Sequence, residues 1–262
     1  MKTHNILALL LSLLATATRP TLAQTYGQIN YEVVRKIDPN SMRIVINGEQ
    51  VKPGDPNFPS DIPDTRTFGQ KVTFTKQFAK ESRDEQNAVI RTFEGGPGGG
   101  APRTTNLGRP YEEDVFVDLA NQKTITLLTV GKGDEAKSYR AEAPIQRTSG
   151  WQLTDQTKKI AGYTCRKATV PFRKDTYTVW YTTELPITYS PISELTPESG
   201  VVLLVESSRE QYRASKVNTS TVNEKDVQPA LKAETVSPEK LADLREKARA
   251  DFRQQLMMGE RN

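Results

Sequence analysis

The sequence predicts a mainly β fold: an antiparallel curved sheet, half-barrel or sandwich-like, followed by a C-terminal α-helix. Three observations predict it. Many short segments alternate apolar with polar residues and are rich in β-branched and aromatic side chains. Turn residues punctuate these segments at short intervals. Only the last stretch carries an apolar period of three and four residues.

Residues 1–23 read as a signal peptide. Lys2 gives a charged start, Ile6 to Leu14 is an apolar run too short to span a bilayer, and Thr21 and Ala23 put small residues at a cleavage point before Gln24. Residues 24–216 read as one β-rich domain. Ile29, Tyr31 and Val33 alternate with polar neighbours, and Asn47-Gly48 suits a tight hairpin turn between 42–46 and 49–51. Pro53, Pro56, Pro59 and Pro63 make 53–64 an extended loop, because proline removes amide donors. Val72 to Phe78 alternates again, with 88–93 as its continuation. The run 94–103 holds five glycines in six positions and reads as a mobile surface loop. It is not a phosphate cradle, since no Gly-Lys-Ser/Thr ends it and no helix-forming stretch follows.

Next comes the clearest hairpin: Val115, Val117 and Leu119 alternate, 120–122 turns, and Ile125 and Leu127 alternate back. Strands follow at 138–145, at 151–155 and 163–170 around a polar turn, and at 176–183. Val201 to Val205 is wholly apolar, as a strand buried on both faces must be. Tyr212 to Thr221 adds one more. Residues 217–236 read as a polar linker. In 237–262, Ser237 can cap a helix, Pro238 suits its first turn, and Leu241, Leu244, Ala248, Phe252 and Leu256 form one stripe. The stripe is expected to dock on the chain's own sheet.

Composition excludes several chemistries. The single His is His4, inside the predicted signal, so the mature chain has no triad, imidazole metal site or histidine switch. One Cys allows no intrachain disulfide. Loss of Lys2 and Arg19 with the signal takes the formal charge from +4 to +2. Charges of both signs interleave, so nucleic acid is not an expected partner. No later apolar run is long enough to span a membrane, and no Cys offers a lipid anchor after the signal. The expected location is exported, periplasmic or extracellular, and soluble.

The blocks Trp151-Gln-Leu-Thr-Asp, Ile160-Ala-Gly-Tyr-Thr-Cys-Arg-Lys-Ala168 and Tyr177-Thr-Val-Trp-Tyr-Thr-Thr183 are similar to those of the GLPGLI family, exported proteins of Bacteroidetes-type bacteria. The resemblance covers about Thr25 to Glu206. Ser193 to Val205 stands where that family's hexapeptide is expected, in altered form. The resemblance implies an exported β-sheet protein and carries no activity onto named residues.

Candidate chemistry is sparse. Cys165 lies beside Arg166 and Lys167, but no base accompanies it, so a buried structural thiol is expected. Trp151, Tyr163, Tyr177, Trp180, Tyr181 and Tyr189 could line an apolar ligand groove; the competing reading is core packing. Glu112-Glu113-Asp114 could support glycoside hydrolysis or calcium binding, but sequence neighbours do not set the separation a carboxylate pair needs, and the calcium-loop spacing is absent. No catalytic, cofactor-binding or metal-ligating residue is assigned and no cofactor is expected. The leading expectation is a non-catalytic envelope protein binding a protein partner or ligand. The alternatives are a carrier of a lipid or other apolar ligand and, further off, a carboxylate-based hydrolase. A cleft with two facing carboxylates and raised pKa values would favour the last.

Overall fold

The structure is a computed structural model and describes residues 26–38, 40, 44–46, 49–58, 64–84, 88–92, 103–230 and 232–259. The predicted signal, the Asn47-Gly48 turn and nearly all of the glycine run lie outside the described residues.

Sixteen strands and one long helix are present among the described residues. The first half contains β1 (Gly27–Lys36), β2 (Ile44–Ile46), β3 (Glu49–Val51), β4 (Thr65–Phe74), β5 (Phe78–Arg83), β6 (Ala88–Thr92), β7 (Arg103–Gly108) and β8 (Glu112–Asp118). The second contains β9 (Lys123–Val130), β10 (Lys137–Pro144), β11 (Gln152–Ile160), β12 (Tyr163–Phe172), β13 (Asp175–Thr182), β14 (Val201–Glu206), β15 (Glu210–Asn218), β16 (Glu234–Thr235) and α1 (Pro238–Gly259). Twelve strands form one sheet in the order β11-β12-β13-β14-β15-β1-β4-β5-β8-β9-β10-β16. β11 and β16 end it without pairing to each other, so the sheet is open. Every pairing in it is antiparallel except β10 with β16. The predicted fold class is what the chain adopts: mainly β, antiparallel, with a single C-terminal helix. β2–β3 and β6–β7 are separate hairpins.

Most predicted strands fall in place; 88–92 is not the continuation of 72–78 but one half of the separate β6–β7 hairpin, and two further differences are instructive. Val72 and Phe78 belong to different strands. Between them Thr75 closes a turn, its Oγ1 accepting from the amides of Gln77 and Phe78 at 3.3 and 3.1 Å. Alternation continued through the turn, so the pattern alone could not show the break. The polar segment after Trp151 is also no loop. β11 extends to Ile160, and Ala161 and Gly162 make the turn with φ of 48° and 93°. β11 is an edge strand exposed along most of its length, which hides the alternation.

One face of the sheet carries the main core. Ile29, Tyr31 and Val33 of β1 lie beside Val72 and Phe74 of β4, all essentially buried. The segment between β13 and β14 crosses this face and covers it with Leu185, Ile187, Tyr189, Ile192 and Leu195. Tyr189 bridges to Val201 at the start of β14, and its hydroxyl reaches Glu81 on β5, on the far side of β15, β1 and β4. Val201–Val205 is fully enclosed, as a wholly apolar strand requires.

The helix covers the other end of the same face. Ser237 caps it, its Oγ accepting from the Lys240 amide at 3.2 Å. Glu239 sits in the first turn; its own amide N–H, and then Ser237, hold its carboxyl below the ordinary range. Leu241 and Ala248 are buried and Leu244 is half-buried, over Leu128 of β9 and Ala141 of β10. Leu241 and Leu244 of the stripe dock on the chain's own sheet, as expected, and the Leu256 side chain lies outside those described. The polar segment before it is tied down as well: Val227 is buried, and β16 pairs with β10.

Candidate functional site

The register of β5 decides the site. Ala79 is buried, and strand alternation turns Glu81 and Arg83 to the same side. Glu81 stands opposite Val72 on β4 and Val115 on β8, so a carboxylate points toward the core face. Its Oε1 accepts the Tyr189 hydroxyl at 2.8 Å, and Arg83 approaches its Oε2 at 3.7 Å. Burial raises the Glu81 pKa, against the lowering effects of the Tyr189 bond and Arg83. Only 11% of the side-chain surface remains exposed, on the side of a cleft.

That cleft, of about 540 Å³, lies between β5, β8 and α1. Glu81 and Arg83 line it from β5, Glu113 and Val115 from β8, Arg245 and Arg249 from α1. Arg245 bonds Glu113 through two nitrogens at 2.8 and 3.1 Å. Asp114 points to the opposite face, where Lys80 pairs with it at 2.9 Å. A cleft holding two carboxylates, one with a raised pKa, is thus present. Among the described residues no three His, Cys, Asp or Glu side chains gather as a metal site.

Beneath Glu81 lies a small buried polar group. Tyr31 donates to the Val202 carbonyl at 2.8 Å, and Gln70 Nε2 reaches the Tyr189 hydroxyl at 3.5 Å. Gln70 Oε1 is buried without a partner. Desolvation, and then the Glu81 charge, push the Tyr31 and Tyr189 phenols upward, so both stay neutral donors. Cys165 is buried, and desolvation pushes its thiol up to about 11. It is a structural thiol rather than a nucleophile.

The six aromatics singled out from the sequence all lie in or against the main core. Tyr177, Trp180 and Tyr189 are buried; Trp151, Tyr163 and Tyr181 are half-buried around them. Trp151 donates to the Thr148 carbonyl, and Tyr177 to Glu210. Lys158 sits 4.0 Å over the Trp180 ring, on the face of the sheet away from Glu81. Of the six, Tyr189 alone bonds a residue of the cleft. Glu81 was missed because it sits in the mixed run Lys80 to Glu85, which reads as a solvated surface. Its signal was local: a carboxylate two residues after Ala79, in phase with the inward side of a strand.

The family described as "N-glycanase peptide, N-terminal domain", that of PNGase F-II, matches residues 103–244, more than half of the chain. This chain belongs to that family. The match runs from β7 through β8 and β9 into α1, and so takes in the β8 wall of the cleft and the start of the helical one. Two solved structures of PNGF-II, in space groups P21 and C2, share the fold. Each is 13% identical over 86% of this chain, with TM-scores of 0.54 and 0.55. The chain spans about a third of the length of each, 34% and 33%. No curated protein matches.

These findings correct two expectations. The chain is a member of the PNGase F-II N-terminal family, not of the GLPGLI family. The blocks that suggested the latter, 151–168 and 177–183, fall inside the matched segment. They are β11, β12 and β13: a positive-φ turn at Gly162 and an aromatic strand, features that any antiparallel sheet of this type can repeat. The expectation of a non-catalytic envelope binder is overturned by the same match, which belongs to a glycan-cleaving enzyme family. The hydrolase alternative lies closer.

Proposed function

We propose that this chain works in the enzymatic cleavage of N-linked glycans, holding the carbohydrate in the cleft between β5, β8 and α1. The observation that carries the reading is the N-glycanase match across the segment that supplies β8 and the start of α1. The cleft chemistry supports it. Carboxylates accept from sugar hydroxyls, guanidiniums donate to them, and both kinds are fixed here by hydrogen bonds before any ligand arrives. PNGF-II is about three times as long as the part matched, so carbohydrate holding, not the whole reaction, is what is assigned here.

A second reading places acid catalysis in this cleft. Its specific support is Glu81, a carboxyl whose pKa is raised by burial, in the same cleft as Glu113. One experiment separates the two. The chain is incubated with an N-glycoprotein, released glycan is measured by mass spectrometry, and binding by calorimetry. Binding without release supports carbohydrate holding alone. Release abolished by Glu81→Gln supports catalysis in the cleft. Neither binding nor release overturns both.

Export is proposed with it, on the charged start, apolar run and small residues of 1–23. A mature protein beginning near Gln24 supports this; Met1 retained in the envelope fraction overturns it.

A further inference from the structure

The cleft continues along the helix. A second cavity, of about 900 Å³, lies beyond it and shares Arg109 and Tyr111 with it. On the helix, Ala242, Arg245, Glu246 and Arg249 wall the first, and Ala248, Asp251, Phe252 and Gln255 wall the second, displaced toward the C-terminus. Tyr111 belongs to both cavities, and Arg249 of the first reaches it. Arg249 Nη2 donates to the Tyr111 hydroxyl at 2.8 Å, with its guanidinium carbon 5.6 Å from the ring centroid. Arg249 Nη1 bonds Glu246 at 2.6 Å, and both of these side chains are about half exposed or more.

We infer that the two cavities are one groove for an extended oligosaccharide, with the Tyr111–Arg249 pair as its removable partition. The inference rests on the carbohydrate-holding reading above and adds the length of the ligand. From Ala242 to Gln255 the helix rises about 20 Å, at about 1.5 Å per residue, which spans several sugar units. The chemistry changes along the way. The first part is charged, with Glu81, Glu113 and Arg245. The second keeps charged lining, from Glu112, Lys132, Glu135 and Asp251, and adds apolar surface from Val130 and Phe252. A sugar presents both, hydroxyls at its rim and C–H groups on its faces, and the Tyr111 ring at the junction matches the C–H face. Tyr111 is half-buried against the cluster of Leu128, Ala141 and Leu241, whereas Arg249 is held by exposed contacts, and an exposed ion pair or cation–π contact is worth little, so a ligand can displace the arginine.

The test titrates the full chain with two glycopeptides by calorimetry, one carrying only the two core N-acetylglucosamines and one a high-mannose glycan. The larger glycan is expected to bind about tenfold more tightly, the equivalent of one further good subsite. Tyr111→Ala should erase that difference. Arg249→Met and Tyr111→Phe, which release the partition but leave the groove, should tighten the larger ligand by about threefold and leave the smaller unchanged. Equal affinity of the two glycopeptides for the natural chain overturns the inference. So does a difference that survives in well-folded Tyr111→Ala, or unchanged binding of the larger glycan in both releasing variants. If neither glycopeptide binds, it is the carbohydrate-holding reading that fails, and the inference falls with it.

Discussion

Arg245 grips Glu113 with two parallel hydrogen bonds, Nε to Oε2 at 2.8 Å and Nη2 to Oε1 at 3.1 Å, and so ties α1 to β8 across the mouth of the cleft. Both side chains are about three-quarters buried. The pair therefore sets the spacing of helix and sheet as well as the charge of the cleft.

Arg245→Ala should destabilise the fold by about 2 kcal/mol, the range for hydrogen bonds to a charged group whose partner stays behind. Urea denaturation reads the change. An unaltered midpoint would mean that Leu241 and Ala248 alone hold the helix in place.

The Glu81 variant has a signed pH dependence. The folded pKa is raised above the ordinary 4.5. Stability from Glu81 is therefore complete below that value and lost as pH rises through the folded value. Glu81→Gln keeps an acceptor for Tyr189 and removes the buried charge. Its melting temperature should match the natural chain near pH 4 and exceed it increasingly toward pH 8. Parallel curves would show that Glu81 ionises without cost.

Cys165 should resist alkylation in the folded protein and react only after denaturation, because it is buried and its thiol is pushed up to about 11. Cys165→Ser should cost about 1–3 kcal/mol, by burying a hydroxyl among apolar neighbours. Fast labelling in the native state would contradict the burial.

Gly200 holds φ at 96°, and a Cβ there would meet the Thr182 carbonyl oxygen at 2.5 Å. Gly200→Ala should therefore cost about 2 kcal/mol or more. Its carbonyl also accepts the Tyr189 amide at 3.1 Å, so the cover over Glu81 should loosen too. Faster amide exchange at Tyr189 and Val202 is the readout.

The sheet was legible in the sequence because its strands obey simple rules. Ile29, Tyr31 and Val33 alternate with more exposed neighbours where one face is wetter, and Val201 to Val205 does not alternate where both faces are enclosed. The helix was legible from the Ser237 cap and the Leu241–Ala248 stripe. The cleft was not. Glu81 and Tyr189 are far apart in sequence, and only strand order and the path of the 183–200 cover bring them together. Glu113 was visible as a carboxylate, but its partner Arg245 lies on the helix, and no spacing rule links the two. The family assignment failed for a related reason: the turn at Gly162 and the aromatic run of β13 report a kind of sheet rather than a lineage.

The position of β1 has a consequence for how the chain reaches this state. β1 is the earliest of the described strands, yet it lies mid-sheet between β4 and β15, with Gln28 paired to Asn218. During synthesis one of its edges stays bare until almost the whole sheet has emerged. Such distant pairing makes assembly slow, because the loop must close before its contacts reward it. An unpaired edge flanked by Ile29, Tyr31 and Val33 is meanwhile open to mispairing with other chains. A chain that assembles in this order keeps that edge unpaired until β15 arrives.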